Sequence, residues 1–513
     1  MSETRCDVVI SGGGPNGLML ACELALAGIT PIVLERLPEP SVEQKANGMI
    51  GQVVRAMDMR GLYPDSPPRP MDGFLFSGMP LNLGLLHDNP MHAWMIPQPD
   101  LIRLLVERAR ELGVDIRWGH TLTDFTQDAD TVTASVTTPS GERRFTARYL
   151  VAADGGKSLV RKRSGIDFPG HTNPNQVSRM GHAMVPDEFR TPTGDLRIPG
   201  VEDLHWGHNR LERGMFIFAE LQPGRPLVAV MEFDAEPVDD SIAMTFDELR
   251  ESVSRVLGAD LPIQPPTWAG VPALRRISGQ NTRLAERYRD GRVLLLGDAA
   301  HVHSAIGGPG LNLGLQDALN LGWKLAAQIR GWAPEGLLDT YESERRPIGE
   351  RVMMSSLSQS ALMASGPEVT ALRQLFGELL TIPSTVEHIA RTMSGTDIRY
   401  DVGSDHPLAG RFFPEATVET GTGPRRIAEL LHSGRPLLLD LTGALAPHAA
   451  DWSDRVDTVA ATAADAPAAA LLIRPDGYIA WATDDSEPGD LPEVLARWFG
   501  PARALVADRS PIE

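Results

Sequence analysis

The sequence predicts an α/β protein in three parts. A parallel sheet carries packed helices, a mostly antiparallel sheet is inserted mid-chain, and a small α/β unit follows at the C-terminal end. Three observations predict this. Residues 7–36 run strand, glycine turn, helix, strand; the stretch from about Asn175 to Pro272 is made of short alternating runs broken by Gly and Pro; and a strand–turn–strand–helix pattern returns after Pro407.

Taken in order, Asp7-Val8-Val9-Ile10 is a short apolar run with β-branched residues, and Leu18–Leu26 carries helix formers with an apolar face. Gly28 stops that helix and Pro31–Glu35 is a second strand, so the unit is βαβ with parallel strands. Pro64–Pro70 is loop-like. Pro99–Gly113 predicts a helix with Leu101, Leu104, Leu105, Ala109 and Leu112 on one side. Thr131–Thr137 and Tyr149–Ala153 are strand-like, as are Met215–Leu221 and Leu227–Phe233 in the antiparallel stretch. Arg292–Leu296 is another strand, followed by a glycine-rich loop and a helix over Gln316–Ile329. Leu338–Ala364 is helical, with paired charges at Glu342, Glu344, Arg345 and Arg346, and a second helical stretch extends to about Met393. Pro436–Leu441 and Ala469–Ile473 are strands, Pro475-Asp476-Gly477 is a turn, Tyr478–Ala482 completes a hairpin, and Leu491–Phe499 closes the chain.

A length of 513 residues exceeds one compact core. The expected division is 1–174 with 276–400 as one domain with a helical extension, 175–275 as a second to which 69–97 contributes, and 401–513 as a third. Hydrophobic residues make up 42% and charged residues 22%, ordinary for a soluble globular chain, and a net charge of −19 repels phosphate backbones, so no nucleic-acid partner is expected. Two cysteines, Cys6 and Cys22, form no CxxC pair; this excludes a disulfide framework and a Cys-based zinc site, and no metal is expected. No signal peptide or membrane span is visible, and a cytoplasmic location is expected.

Gly12-Gly13-Gly14-Pro15-Asn16-Gly17 fits G-x-G-x-x-G between a strand and a helix. Gly12 allows the tight turn, Gly14 lets backbone approach a pyrophosphate, and Gly17 lets helix and strand pack closely, while the helix N-terminus offers N–H groups to the phosphates. Glu35, at the end of the second strand, can accept from ribose hydroxyls. This Rossmann-like unit predicts dinucleotide binding. Two distant segments, each directly after a strand, narrow the choice of dinucleotide. One is Asp154-Gly155-Gly156-Lys157-Ser158-Leu159-Val160-Arg161-Lys162, and the other is Gly297-Asp298-Ala299-Ala300-His301 continuing through Gly307-Gly308-Pro309-Gly310-Leu311-Asn312.

The three segments, in this order, resemble the para-hydroxybenzoate hydroxylase family, the class A flavoprotein monooxygenases, from residue 7 to about residue 350. The resemblance implies that Gly12, Gly14, Pro15, Asn16 and Gly17 hold the FAD pyrophosphate and Glu35 the adenosine ribose. It places Asp154 and Gly155 in a motif serving FAD and the nicotinamide cofactor, Asp298 by the ribityl and phosphate region, and the amides of Gly310, Leu311 and Asn312 facing the isoalloxazine ring. Gln98 matches a glutamine that contacts FAD, Leu122 an adenine backbone contact, and Lys45 stands where many members carry Arg. A loop with Gly307, Gly308 and Gly310 can bring backbone against the ring, and its amides stabilise negative charge on reduced flavin. His301 and His303 are read as structural. Ala305 replaces a proline common in the family; it keeps a carbonyl and loosens the backbone.

The implied cycle is reduction of FAD by NADPH (or NADH), reaction with O₂ to a C4a-hydroperoxide, and transfer of oxygen to an electron-rich ring carbon. No catalytic side chain is required. The long form, with its extra domain, resembles phenol hydroxylase and the hydroxylases that tailor aromatic polyketides or modify antibiotics, which implies a multi-ring phenolic substrate. The C-terminal domain is expected to be thioredoxin-like and, lacking CxxC, redox-silent, with a role in homodimerisation or support. Trp206, Phe218, Met231 and Phe233 are the expected substrate-pocket residues, although ordinary core is the commoner role for each. Baeyer–Villiger insertion and a non-catalytic FAD-binding scaffold are the competing readings. A flavin halogenase is disfavoured, because Trp94-Met95-Ile96-Pro97 only partly echoes W-x-W-x-I-P.

Overall fold

The computed structural model describes residues 3–64, 67–220, 224–233, 235–239, 242–268, 274–304, 308–464 and 466–503. The first strand, Glu3–Ser11, pairs in parallel with Pro31–Glu35 on one side and with the long strand Gly141–Ala152 on the other. Val293–Leu295 adds in parallel beyond Ala152. Asp115–Trp118 adds in parallel to Pro31–Glu35, so five strand C-termini lie along one edge of an eight-stranded sheet, where α/β folds place their ligands. Helices Pro15–Leu26 and Gln98–Glu111 cover it, the first by Leu18, Leu20, Ala21 and Leu24 and the second by Leu101, Ile102 and Leu105, all fully buried.

A second sheet of six strands is antiparallel at every pairing. It reaches past the expected bounds on both sides: it begins with Gly170–His182 and includes Arg275–Leu284 and the short strand His301–Val302. One face packs on helix Phe246–Leu257 through Phe216, Phe218, Val228, Val230, Leu249 and Val253. The other is approached by the hairpin Gly73–Phe76/Met79–Asn82, where a Cβ on Gly78 would lie 3.2 Å from His208 Cβ, and by the end of helix Thr340–Met363.

The helix expected over Gln316–Ile329 begins seven residues earlier, at Pro309, and ends at Arg330. The cause is local: Pro309 needs no N–H partner in the first turn, and Gly308 caps it with φ +66°. Gly310, Leu311 and Asn312 are thus first-turn residues and not a free loop. The second helical stretch is two helices, Pro367–Leu379 and Pro383–Ser394.

The C-terminal unit is a mixed six-stranded sheet with helix Leu491–Phe499 packed on it. Its hairpin turn enters the space between helices Pro309–Arg330 and Thr340–Met363. There Arg474 donates to both oxygens of Glu344 (2.7 and 2.8 Å) and to Asp476, while Lys324 donates to Glu344 Oε2 (2.7 Å) and Asn320 donates to Asp476 (3.1 Å). Burial alone would raise the Glu344 carboxyl, but Arg474 and Lys324 outweigh it and hold the group far below the usual carboxylate range. A depressed folded pKa means stability present above the unfolded value of about 4.3 and lost as pH falls below it. Thermal unfolding followed against pH should therefore show melting falling on acidification below about pH 5, and Glu344→Gln should lower stability at neutral pH and flatten that acid slope. Burial pushes the Cys6 and Cys22 thiols up to about 12, so neither is a reactive thiolate. Among the described residues no helix is long and apolar enough to cross a membrane.

Candidate active site

The three segments meet through backbone hydrogen bonds at the edge of the parallel sheet. Gly12 N donates to Leu34 O (2.8 Å), Ala153 N to Ser11 O (2.8 Å) and Leu296 N to Ala152 O (2.9 Å). Each strand ends where its neighbour's loop begins, so segments far apart in sequence are adjacent in space.

The glycines divide by what surrounds them. A Cβ on Gly12 (φ +116°) would lie 2.2 Å from Ala153 O, and one on Gly17 would lie 2.1 Å from Gly12 O. These two make the turn and the helix–strand contact. Among the described residues, a Cβ on Gly14 or Gly155 would meet no atom within 4 Å, so the space in front of both is open there. Gly14 is the N-cap of helix Pro15–Leu26, with Pro15 in its first turn. The Glu35 carboxylate accepts from Gly13 N (2.7 Å) through Oε2 and from Leu37 N (2.9 Å) through Oε1. It shapes the loop while each oxygen keeps a lone pair free.

Asn16 links the first segment to the third: its Nδ2 is 2.1 Å from where Gly297 would carry a Cβ and 2.2 Å from that of Gly314. Asp154 Oδ2 accepts from Leu159 N (2.8 Å) and Val160 N (3.3 Å). Burial raises the Asp154 carboxyl despite hydrogen bonds from Ser158 and those amides. Arg161, inside the second motif but given no role by sequence reasoning, donates to Ala299 O (2.9 Å) and Gly156 O (3.0 Å) and stacks on Phe168. It clamps the second segment to the third. Asp298 is exposed, so it needs no internal partner.

Gly310 and Leu311 lie in the first turn of the helix Pro309–Arg330, where N–H groups have no partner within the helix itself. Asn312 is tied on both sides: its Oδ1 accepts from Ile50 N (3.3 Å) and its Nδ2 donates to Gly308 O (3.2 Å). His301 is buried, and its Nε2 contacts Asp317 Oδ2 at 2.6 Å, while Asp317 Oδ1 accepts from Arg345 (2.7 Å). Burial would raise the Asp317 carboxyl; Arg345 and His301 hold it below its usual range. Asp317 and Arg345 were missed, although a lone Asp in a run as apolar as Leu313–Ala327 is itself a signal of a buried charge pair.

Gln98 begins its helix and donates from its backbone to Ala46 O (3.0 Å). Leu122 is buried in strand Thr121–Gln127, brought near Glu35 by His120 N donating to Glu35 O (2.9 Å). Lys45 is half-exposed and pairs with Glu43 (3.1 Å). Met231 and Phe233 come together with Met215 and Met363 on the face of the antiparallel sheet opposite the Phe246–Leu257 helix. Phe218 does not join them, because its side chain lies in the core on the helix side, and Trp206 stands 49% exposed on the surface. Ala305 and Gly307 lie outside the described residues. A cavity behind the first turn is lined by Asn312, Gln316, Val352 and Gln359.

A fold with a G-x-G-x-x-G turn, open glycine faces, two helix N-termini and a buried carboxylate oxygen of Asp154 without a partner suits a phosphate- and ribose-bearing cofactor. The fold and site define a dinucleotide-binding α/β protein with an antiparallel sheet beside its strand ends. Residues 5–356 match the FAD binding domain family and residues 406–502 the aromatic-ring hydroxylase C-terminal family. Over 514 residues the chain is 42% identical to 12-dehydrotetracycline 5-monooxygenase/anhydrotetracycline 6-monooxygenase of Streptomyces rimosus subsp. rimosus, covering 97% of this chain and 99% of that one. It is 38% identical over 510 residues to a rifampicin monooxygenase of Streptomyces venezuelae, covering 97% and 99%. The solved structure of OxyS anhydrotetracycline hydroxylase from Streptomyces rimosus superposes with a TM-score of 0.86 at 41% identity, covering 97% of this chain and 100% of that one. The chain belongs to the FAD-binding aromatic-ring hydroxylase family and is an FAD-dependent monooxygenase.

Proposed function

We propose that the chain hydroxylates a polycyclic, polyketide-type phenol with O₂ and NADPH, or NADH, as co-substrates. The observation that carries this reading is the pairing of the three-segment cradle with an apolar cluster of Met215, Met231, Phe233 and Met363. Relatives acting on tetracycline and rifampicin scaffolds support a large ring system. Methionine-lined surfaces adapt to irregular apolar shapes.

In this reading Gly12, Gly14, Pro15, Asn16 and Gly17 surround the pyrophosphate, with its charge against the N-terminus of helix Pro15–Leu26. Glu35 accepts from the adenosine ribose through its free lone pairs, and Leu122, Gln98 and Lys45 border that half. Asp154, Gly155 and Asp298 face the ribityl and phosphate region. The amides of Gly310 and Leu311 stabilise negative charge at the ring, and Asn312 holds that turn in place. When bound, FAD supplies two-electron chemistry and O₂ activation that no side chain here provides. The protein's part is to orient the substrate on the methionine face and exclude water. We read the enzyme as cytoplasmic and homodimeric; exposed Leu372, Leu375, Leu379 and Ile382 support an assembling surface.

The test is NADPH oxidation by the FAD-loaded enzyme across a phenol series, with products identified by mass spectrometry and NMR. Multi-ring phenols should stimulate oxidation by at least roughly tenfold and gain one hydroxyl, a rate ratio of about 1.4 kcal/mol. Activity confined to single-ring phenols overturns the substrate class, and a ring-expanded lactone favours Baeyer–Villiger insertion. A flavin that NADPH never bleaches, with or without phenols, favours a non-catalytic scaffold.

A further inference from the structure

Among the described residues the C-terminal unit sends none to the strand ends, yet its turn is buried deep against the helices that border the site. Arg474, Asp476 and Tyr478 are each no more than 3% exposed. From this turn two arms run toward His301 and Asn312. In the first, the Tyr478 ring packs on Tyr400 (centroids 4.2 Å apart), Arg345 donates to Tyr400 Oη (2.9 Å) and to Asp317 (2.7 Å), and Asp317 meets His301 (2.6 Å). In the second, Gln52 Nε2 donates to Tyr478 Oη (2.7 Å), and two residues earlier Ile50 N donates to Asn312 Oδ1 (3.3 Å). Gly51, between them, has φ +76°, and a Cβ there would lie 2.4 Å from Ser394 Cα, so this strip of backbone is packed without slack. Both arms start at one side chain, and they end on His301 and Asn312.

The charges of the network balance: Lys324, Arg345 and Arg474 oppose Asp317, Glu344 and Asp476. Each charged group has its direction set by hydrogen bonds, so a displacement at one end is passed on. The links through Tyr478, Tyr400 and Gln52 are neutral. Removing one hydroxyl therefore shifts geometry and leaves the charge balance intact, which separates positioning from gross destabilisation. Gln52 is 2% exposed and cannot turn to water for a new partner.

We propose that Tyr478, on the C-terminal unit, is a positioning residue for the flavin site, setting Asn312 through Gln52 and His301 through Tyr400 and Arg345. This gives the C-terminal unit a function within its own chain. The inference rests on the reading that His301 and Asn312 border the flavin.

Tyr478→Phe tests it in the FAD-loaded enzyme. The dissociation constant for FAD should rise by roughly fivefold or more, the lower end of what an orphaned buried donor costs, and the visible absorption bands of bound FAD should move or lose fine structure. Gln52→Leu should do the same, and the double variant should add less than the sum, because both act through one hydrogen bond. Leu495→Ala, which hollows the core shared with Tyr400 and Tyr478 but removes no hydrogen bond of either arm, should lower the melting temperature and leave spectrum and FAD affinity unchanged. An unchanged spectrum and affinity in Tyr478→Phe, or the same changes in Leu495→Ala, would overturn the proposal. A wild-type chain that binds no FAD overturns the site reading itself, which separates the two failures.

Discussion

Gly14→Ala should fold as well as the wild type and bind FAD roughly 100-fold more weakly, a loss of about 2.7 kcal/mol. The backbone at Gly14 has φ −78° and ψ 177°, which alanine adopts without strain, and a Cβ there meets no atom of the described residues within 4 Å. The protein does not use the space in front of Gly14. In a cradle built for close backbone approach, the pyrophosphate does. Gly12→Ala is the informative contrast. Its φ of +116° disfavours any side chain, and the added Cβ would fall 2.2 Å from Ala153 O, so the loop must move. That variant should lose both stability and FAD, whereas Gly14→Ala should lose FAD alone. Thermal unfolding of the apo-proteins beside fluorescence titration with FAD checks both. A Gly14→Ala protein with wild-type affinity would remove the phosphate from that place.

The second large effect lies at the other end of the molecule. Arg474→Ala should cost roughly 3–5 kcal/mol, because it leaves two buried carboxylates without their shared cation. Arg474 is fully buried and donates to both Glu344 and Asp476; Lys324, Asn320 and Trp323 are the partners that remain. The loss should appear as release of the C-terminal unit, with protease cleavage near residues 401–406 and an early first transition in urea. Arg474→Lys should recover part of the stability, since one ammonium can serve one carboxylate but not the forked geometry. Unfolding of Arg474→Ala indistinguishable from wild type would mean that apolar packing around Trp498 and Phe499 alone holds the unit in place.

Much of the parallel-sheet half was legible in the sequence because its signals are local. The turn Gly12–Gly17, the strand ending at Glu35 and the strands near Ala152 and Leu295 each carry their own punctuation, and pairing them in parallel leaves one shared edge for the loops. The start of the Pro309 helix was not legible as a start, because three glycines read as loop when Pro309 in fact opens a first turn. The apolar alternation over 214–233 shows that Phe218 and Met231 sit on strands with two faces. It cannot say which face turns inward. Phe218 went to the helix-side core, and Met231 with Phe233 to the other face. Trp206 has a large apolar ring in a sequence that gives no periodicity around it, and it stands at the surface.

The ion network was the least visible part. Glu344 and Arg474 are 130 residues apart, and Gln52 and Tyr478 are 426 apart. Nothing in either neighbourhood names the other. Glu344 and Arg345 were visible only as charges on a helix, and a charged helix most often faces water. Their burial comes from the C-terminal turn docking over them, a tertiary event without a local signature.

Titration of the apo-protein with FAD, followed by flavin fluorescence, tests the convergence of the three segments most directly when wild type, Gly14→Ala, Asp154→Ala and Asp298→Ala are compared. Saturable binding of one FAD per chain in the wild type is expected, with affinity weakened in all three variants, since each alters a different segment of one cradle: Gly14→Ala fills space the cofactor uses, and the two aspartate variants remove polar groups. Wild-type affinity in a variant from any one segment would contradict a single shared site, and a wild-type chain that stays colourless after reconstitution would contradict the cofactor altogether.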